Sequence, residues 1–308
     1  MSDLSDTLAP AGPGEERVVC NLADRPAVMA LLQGVDAVVH LGGVSTEQTW
    51  EQIRDGNIDG AVNLYEAARR AGVRRIVFAS SNHVTGFYGQ DEVISPRDPV
   101  RPDGFYGLSK AFGEALAQLY FDRHGLETVS VRIGSAFEAP RDRRMLATWM
   151  SFDDTERLFV AALTAPVVGH SIVYGLSDNR TAWWDNRSAQ HLGYRPQDSS
   201  DAFRTEVEAR QPSLQGEGDR STGPREHVES FTVIRVDGGD AAPPADQSPQ
   251  RAGLRHVREH HVRPPVLIEV AQGPQRAHVV GRVRIASQGR HLDHLDPTRP
   301  RLVDSVAL

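Results

Sequence analysis

A doubly wound α/β fold, built on a parallel sheet and followed by a small C-terminal region and an unstructured tail, is what this 308-residue sequence predicts. Short runs of aliphatic and β-branched residues recur through the first 204 positions, segments of helical period separate them, and glycines or polar residues follow the runs. Strand and helix alternating at this spacing form right-handed βαβ units. In such sheets ligands bind beyond the carboxyl ends of the strands.

Strands are expected at 17–20, 36–41, 74–79, 127–133 and 171–174. The middle three read as continuous apolar runs, as strands covered on both faces do. Amphipathic helices are expected at 25–32, 46–71, 106–124 and 153–165. Nineteen of the 20 aromatic residues precede position 205, so residues 1–210 form one domain that includes the ligand-binding region. Residues 211–308 are rich in Pro, Gly, Arg and His and have little to bury. That composition fits a linker or disorder, and equally the out-of-frame translation of GC-rich DNA.

Composition closes several routes. No apolar run reaches the ~18 residues of a membrane span, and the acidic start carries no basic, apolar leader, which points to the cytoplasm. The single cysteine, Cys20, excludes an internal disulfide and a Cys-rich metal site. Residues 1–214 hold 21 basic against 29 acidic side chains, and residues 215–308 hold 13 against 12. Neither half has the basic excess that phosphate-backbone binding needs, so nucleic acid is not an expected partner. The histidines His256, His260, His261, His291 and His294 lie in the tail, where no helix is expected to gather them, and no metal is expected. Cys20 is expected to be a small buried hydrophobe, Trp183 and Trp184 to pack a core or lid, and the Arg74–Arg75 pair to be solvated.

The residues after the strands carry the chemistry. His40-Leu41-Gly42-Gly43-Val44-Ser45 follows the second strand, and its two glycines let backbone approach a flat or phosphorylated ligand. Ser80-Ser81-Asn82-His83 follows the third, a polar row suited to a polyhydroxylated ligand. Gly134-Ser135 and an Arg-rich loop with Arg141, Arg143 and Arg144 follow the fourth. Tyr106 and Lys110, at i and i+4 of the next helix, share one face, and Lys110 is the only lysine in the chain. A free tyrosine, with pKa ~10, is a weak base at neutral pH; a neighbouring cation favours its phenolate. Ser81, Tyr106 and Lys110 thus read as a proton-transfer set, with a hydroxyl to hold an oxygen, a phenol to take its proton and an ammonium to lower the phenol pKa.

These strings resemble the NAD-dependent epimerase/dehydratase group of the extended short-chain dehydrogenase/reductase family over roughly residues 3–204. The resemblance rests on residues 36–43, 57–63, 78–81 and 131–134 together with Tyr106 and Lys110. Finer matches, at His40–Ser45, Ser80–His83, Arg101-Pro102-Asp103-Gly104, Ile133–Ser135, Arg144-Met145-Leu146 and Trp183–Asn186, point to the members that oxidise D-glucuronate or D-galacturonate at C1 to an aldarolactone. The resemblance implies a Rossmann-like sheet with NAD as cofactor. It implies Tyr106 as base, with Ser81 and Lys110 beside it. NAD contacts are implied at Asp3, Asn21, Leu22, Leu41, Gly42, Gly43, Asn57, Ser80, Tyr106, Lys110 and Ile133. Ser45, Ser81, Asn82, His83 and Ser135 would bind the sugar and Arg144 its carboxylate. A homo-oligomer pairing through the two long helices is implied too.

The same family opens with a strand, a G-x-x-G-x-x-G turn and a helix, which hold the pyrophosphate. This sequence starts at the end of the following strand, and Gly12 and Gly14 do not replace that turn. A start placed too far downstream or a shortened gene is the expected cause, with weak NAD binding and an open sheet edge as consequences. A nucleotide-sugar epimerase or dehydratase and a non-catalytic remnant are the two alternatives.

Overall fold

Chain order runs β1 (Glu15–Val19), α1 (Arg25–Leu31), β2 (Ala37–His40), α2 (Trp50–Ile53), α3 (Gly60–Ala71), β3 (Arg75–Ser81), α4 (Phe105–His124) and β4 (Glu127–Ile133). It continues with β5 (Ser135–Ala136), α5 (Met145–Thr148), β6 (Trp149–Met150), α6 (Phe152–Thr164), β7 (His170–Gly175) and α7 (Arg204–Arg210). The computed structural model describes residues 15–210 and three further strands, β8 (Thr232–Ile234), β9 (Leu267–Ala271) and β10 (Val279–Val283). The other residues after Arg210, the tail histidines, Asp3, Gly12 and Gly14 lie outside the described residues.

β2, β3, β4 and β7 form one parallel sheet in that order. Every residue of β2 and β3 is buried, which is why these strands read as unbroken apolar runs. Val38, Val39, Ile76, Val77, Val129, Val131 and Val173 form the centre of the core, with Leu64, Tyr65 and Ala68 of α3 and Leu158 and Ala162 of α6 packed on it. β2 ends this sheet among the described strands. β1, expected in the parallel sheet, instead pairs antiparallel with β10 in a second sheet of order β1-β10-β8-β9. That pairing engages one side of β1, which is the end strand of the second sheet.

Three local readings change. Ser80 and Ser81 belong to β3, because its ladder with β4 runs on to Ser80↔Arg132 and Ser81↔Ile133. The helix expected at 46–71 starts at Trp50, where Thr49 and Gln52 form a reciprocal capping box. It then passes through a π-helical segment, Arg54–Asp59, before continuing as α3. Arg75 is buried, not solvated. Its Nη1 donates to the carbonyls of Ala162, Leu163 and Ala165, and its other nitrogens to Glu127. It therefore satisfies the last turn of α6, where carbonyls lack partners and the helix dipole favours a cation.

Candidate active site

The carboxyl ends of β2, β3 and β4 face the first turns of α4, where Asn57, Ser81, His83, Tyr106 and Lys110 come together. After β2, Gly42 donates its N–H to His40 Nδ1 at 3.2 Å. Burial, and then Lys110, push the His40 pKa down to about 3, so this ring is neutral and serves as an acceptor. Gly43 has φ of 127°, a conformation that costs an L-residue strain, and a Cβ there would lie 2.1 Å from Asn57 Oδ1. Asn57, in the π-helical segment, accepts from Val44 N–H and donates to Val44 O at 2.9 Å and to Ser109 Oγ at 2.8 Å. Ser109 Oγ donates to Tyr106 O. The Asn57 side chain thus ties the glycine turn to the helix that carries the tyrosine. Glu47, from the same loop, accepts the backbone N–H groups of Phe105 and Tyr106, both at 2.9 Å. It satisfies two of the donors that a helix start leaves free.

Tyr106 is buried in the first turn of α4, and its phenol hydrogen-bonds with Ser81. Burial pushes the Tyr106 pKa up to about 12, against the pull of the Ser81 bond and with a further push from Asp103. The expected lowering by Lys110 is therefore corrected. The ammonium lies 5.6 Å from the Tyr106 ring centroid and 5.3 Å from that of Phe78, and burial of the phenol is the largest influence on its ionisation.

Lys110 is itself buried, with its pKa lowered by desolvation from 10.5 to about 8. Its ammonium has ring contacts but no hydrogen-bond acceptor among the described residues. Buried ammonium groups need acceptors, and a sugar diol next to Tyr106 would supply them. Here the folded state releases its proton before the unfolded chain does. The site's contribution to stability therefore grows as pH rises from 8 to 10.5 and is lost as pH falls back through that window. At neutral pH the buried charge costs about 3 kcal/mol. Lys110→Met should accordingly raise the unfolding free energy by about 2–3 kcal/mol at neutral pH, and the gain should vanish above pH 10.5. Chemical denaturation at several pH values checks it.

Ser81 Oγ accepts from His83 N–H at 3.2 Å, and Asn82 and His83 open a short 3₁₀ turn. Ser135 Oγ and Thr148 Oγ1 are 2.9 Å apart. Arg144, before α5, has a buried Nε with no partner among the described residues, and burial lowers its pKa. Arg143 instead pairs with Glu208, and Arg141 lies over the Phe137 ring. Asn21 uses its side-chain oxygen on Ala23 N–H, and Leu22 is buried against Gly42 and Gly60. Leu41 and Ile133 are buried at their strand ends. Trp183 and Trp184 pack with Tyr88, Ile94, Ala147, Tyr174 and Leu176, and Cys20 is buried with its thiol raised to about 11.

Ser80 departs from its expected place. Strand side chains alternate faces, so with Ser81 at the site Ser80 points the other way and donates to Glu114 Oε1 at 2.6 Å. Glu114 also binds Arg132 through both oxygens at 2.9 Å, and Arg132 Nη1 donates to Tyr174 Oη. Sequence reasoning assigned no role to Glu114, Arg132, Glu47 or Asp103. Two signals were present: Glu114 lies one turn beyond Lys110 on the same face, and Arg132 interrupts an apolar strand. Among the described residues no three His, Cys, Asp or Glu side chains gather to hold a metal, and no helix is long and apolar enough to cross a membrane.

A parallel α/β sheet with a Ser-Tyr-Lys set at its carboxyl edge defines a dehydrogenase-type site. Residues 3–169 match the model of the NAD dependent epimerase/dehydratase family, and the chain belongs to it. It is 58% identical to a uronate dehydrogenase of Pseudomonas putida over 209 residues, which cover 68% of this chain and 78% of that protein. It is 53% identical to one of Agrobacterium fabrum, over 62% and 72% of the two chains. The crystal structure of an Agrobacterium tumefaciens uronate dehydrogenase, a Tyr-to-Ala mutant complexed with NAD, superposes with a TM-score of 0.66 at 52% identity, over 68% and 78% of the chains.

Proposed function

We propose that this protein is an NAD-dependent dehydrogenase that oxidises a hexuronate at C1 to an aldarolactone. The observation that carries the reading is the Ser81–Tyr106–Lys110 set, together with a buried Arg144 Nε that has no partner among the described residues, in a chain 58% identical over 209 residues to a uronate dehydrogenase. The residues present fit the cofactor: the buried Lys110 ammonium lacks an acceptor among the described residues, and a ribose diol would supply one. Lys110 and Tyr106 would hold its ribose, with Leu22, Leu41 and Ile133 as apolar walls. NAD⁺, when bound, accepts the hydride from C1 and brings positive charge to the site.

The C1 oxygen is held by Ser81 Oγ and Tyr106 Oη, and the C1 hydroxyl proton passes to Tyr106 Oη. Burial keeps the resting phenol neutral, so its own proton must first leave to solvent, a step that positive charge from Lys110 and the nicotinamide favours, and the phenolate then takes the C1 proton. Ser45, Asn82, His83 and Ser135 take the sugar hydroxyls. Arg144 pairs with the uronate carboxylate, where a guanidinium's paired donors match two oxygens.

The test follows NADH absorbance with D-glucuronate, D-galacturonate and the corresponding neutral hexoses. The reading requires turnover of a uronate over a hexose, and turnover only of a nucleotide-linked sugar would overturn it. Arg144→Ala should raise KM for the uronate about a hundredfold and leave kcat within a few-fold, since the carboxylate contact is alike in ground and transition states.

A further inference from the structure

The string Arg101-Pro102-Asp103-Gly104 matched the family without a role, and the structure places it against the turn that follows β3. Arg101 N–H donates to Val84 O, and Phe87 N–H donates back to Arg101 O, so the two segments run paired. At the end of this pairing both oxygens of Asp103 reach His83 Nδ1, at 2.9 and 3.1 Å. The Asp103 side chain is 4% exposed and that of His83 35%. The space for the carboxylate is made by glycines: a Cβ on Gly86 would lie 2.0 Å from Asp103 Oδ2, and one on Gly107 3.1 Å from Oδ1. The His83 ring stands edge-on to Tyr106, with centroids 5.4 Å apart.

A carboxylate accepts only, so the atom it engages must carry the ring proton. In the neutral imidazole the other nitrogen is then a lone-pair acceptor, and the partner of Nδ1 sets what Nε2 can do. We propose that Asp103 is a positioning residue that holds His83 as its Nδ1–H tautomer, so that Nε2 accepts a hydrogen bond from a hydroxyl of the sugar bound at Tyr106. The inference rests on the hexuronate reading and deepens it. With the carboxylate assigned to Arg144, His83 selects for a hydroxyl at its position and disfavours an analogue that lacks one. A site built to bind a hydroxyl rejects the deoxy analogue strongly, because its own polar group is left unpaired.

The test is Asp103→Asn in the full chain. The amide has the same shape, but its NH₂ group donates to Nδ1 and reverses the ring, leaving Nε2–H as a donor. Nitrogen-15 spectra in mildly alkaline buffer, with the His83 signal assigned by its loss in His83→Gln, should show Nδ1 protonated in the parent and Nε2 protonated in the variant. Calorimetry should show D-glucuronate binding weakened about tenfold or more. In the NADH assay KM should rise more than kcat falls. A parent ring protonated at Nε2 overturns the proposal, as does a variant that binds the uronate within twofold of the parent. The parent spectrum decides the matter even if the variant fails to fold. A parent that binds no hexuronate overturns the substrate reading instead, and the nitrogen signals still test the role of Asp103.

Discussion

Tyr106→Phe should lower the rate of NADH formation by about 10³-fold, within the range that a positioned general base contributes. The phenyl ring fills the same space in the first turn of α4, beside Val44 and Ile53. Fold and hexuronate affinity should therefore survive, with about 1 kcal/mol of stability lost with the Ser81 hydrogen bond. The loss should appear in kcat, because proton transfer is made only in the transition state. An activity within tenfold of the parent would move the base elsewhere, and His83, edge-on to the same ring, is the next group in reach. Spectrophotometric titration adds a second reading. Tyr106 should ionise near pH 12 in the parent, and that late phenolate should be missing from the variant.

Much of this arrangement was legible in the order of residues. β4 falls where the run Glu127–Ile133 places it, because its β-branched residues Thr128, Val129, Val131 and Ile133 favour a strand and six consecutive positions from Thr128 are buried. Tyr106 and Lys110 meet on one face of α4 because helical spacing puts i and i+4 together. What the sequence concealed depends on partners far away along the chain. The ionisation of Tyr106 was read from its nearest cation, yet burial beside Val44 and Ile53, distant in sequence, decides it. Ser80 and Ser81 are neighbours in sequence and opposite in space, a distinction that follows only once Ser80 lies inside β3. Glu47 reaches across 58 positions to cap α4, and no local pattern announces such a bond. The pairing of β1 with β10 belongs to the same class of information: Val18 lies opposite Val280 and Val19 opposite Val279, partners at least 260 positions apart.

Breaking the Glu114–Arg132 pair should be among the most damaging single changes to stability. Both side chains are buried, at 4% and 1% exposure, and two bonds of 2.9 Å join them. Burial alone would disfavour the Arg132 charge, but the hydrogen bonds and charge of Glu114 hold it above the ordinary guanidinium range. Glu114→Ala leaves that charge in the core with one neutral partner, the Tyr174 hydroxyl, and removes the acceptor for Ser80. The expected loss is about 3–5 kcal/mol, read from denaturant unfolding. Replacing both partners with apolar residues, Glu114→Leu with Arg132→Met, should recover most of it, since a neutral pair of similar volume has no charge to desolvate. Recovered stability need not bring back the rate. Glu114 lies one turn beyond Lys110, Ser80 precedes Ser81, and Arg132 precedes Ile133 at the strand end. The hydrogen bonds between them hold α4, β3 and β4 in register beneath the reacting groups, and an apolar pair lacks that directionality. The double variant should fold about as stably as the parent and turn over more slowly, which separates the ion pair's part in alignment from its part in stability.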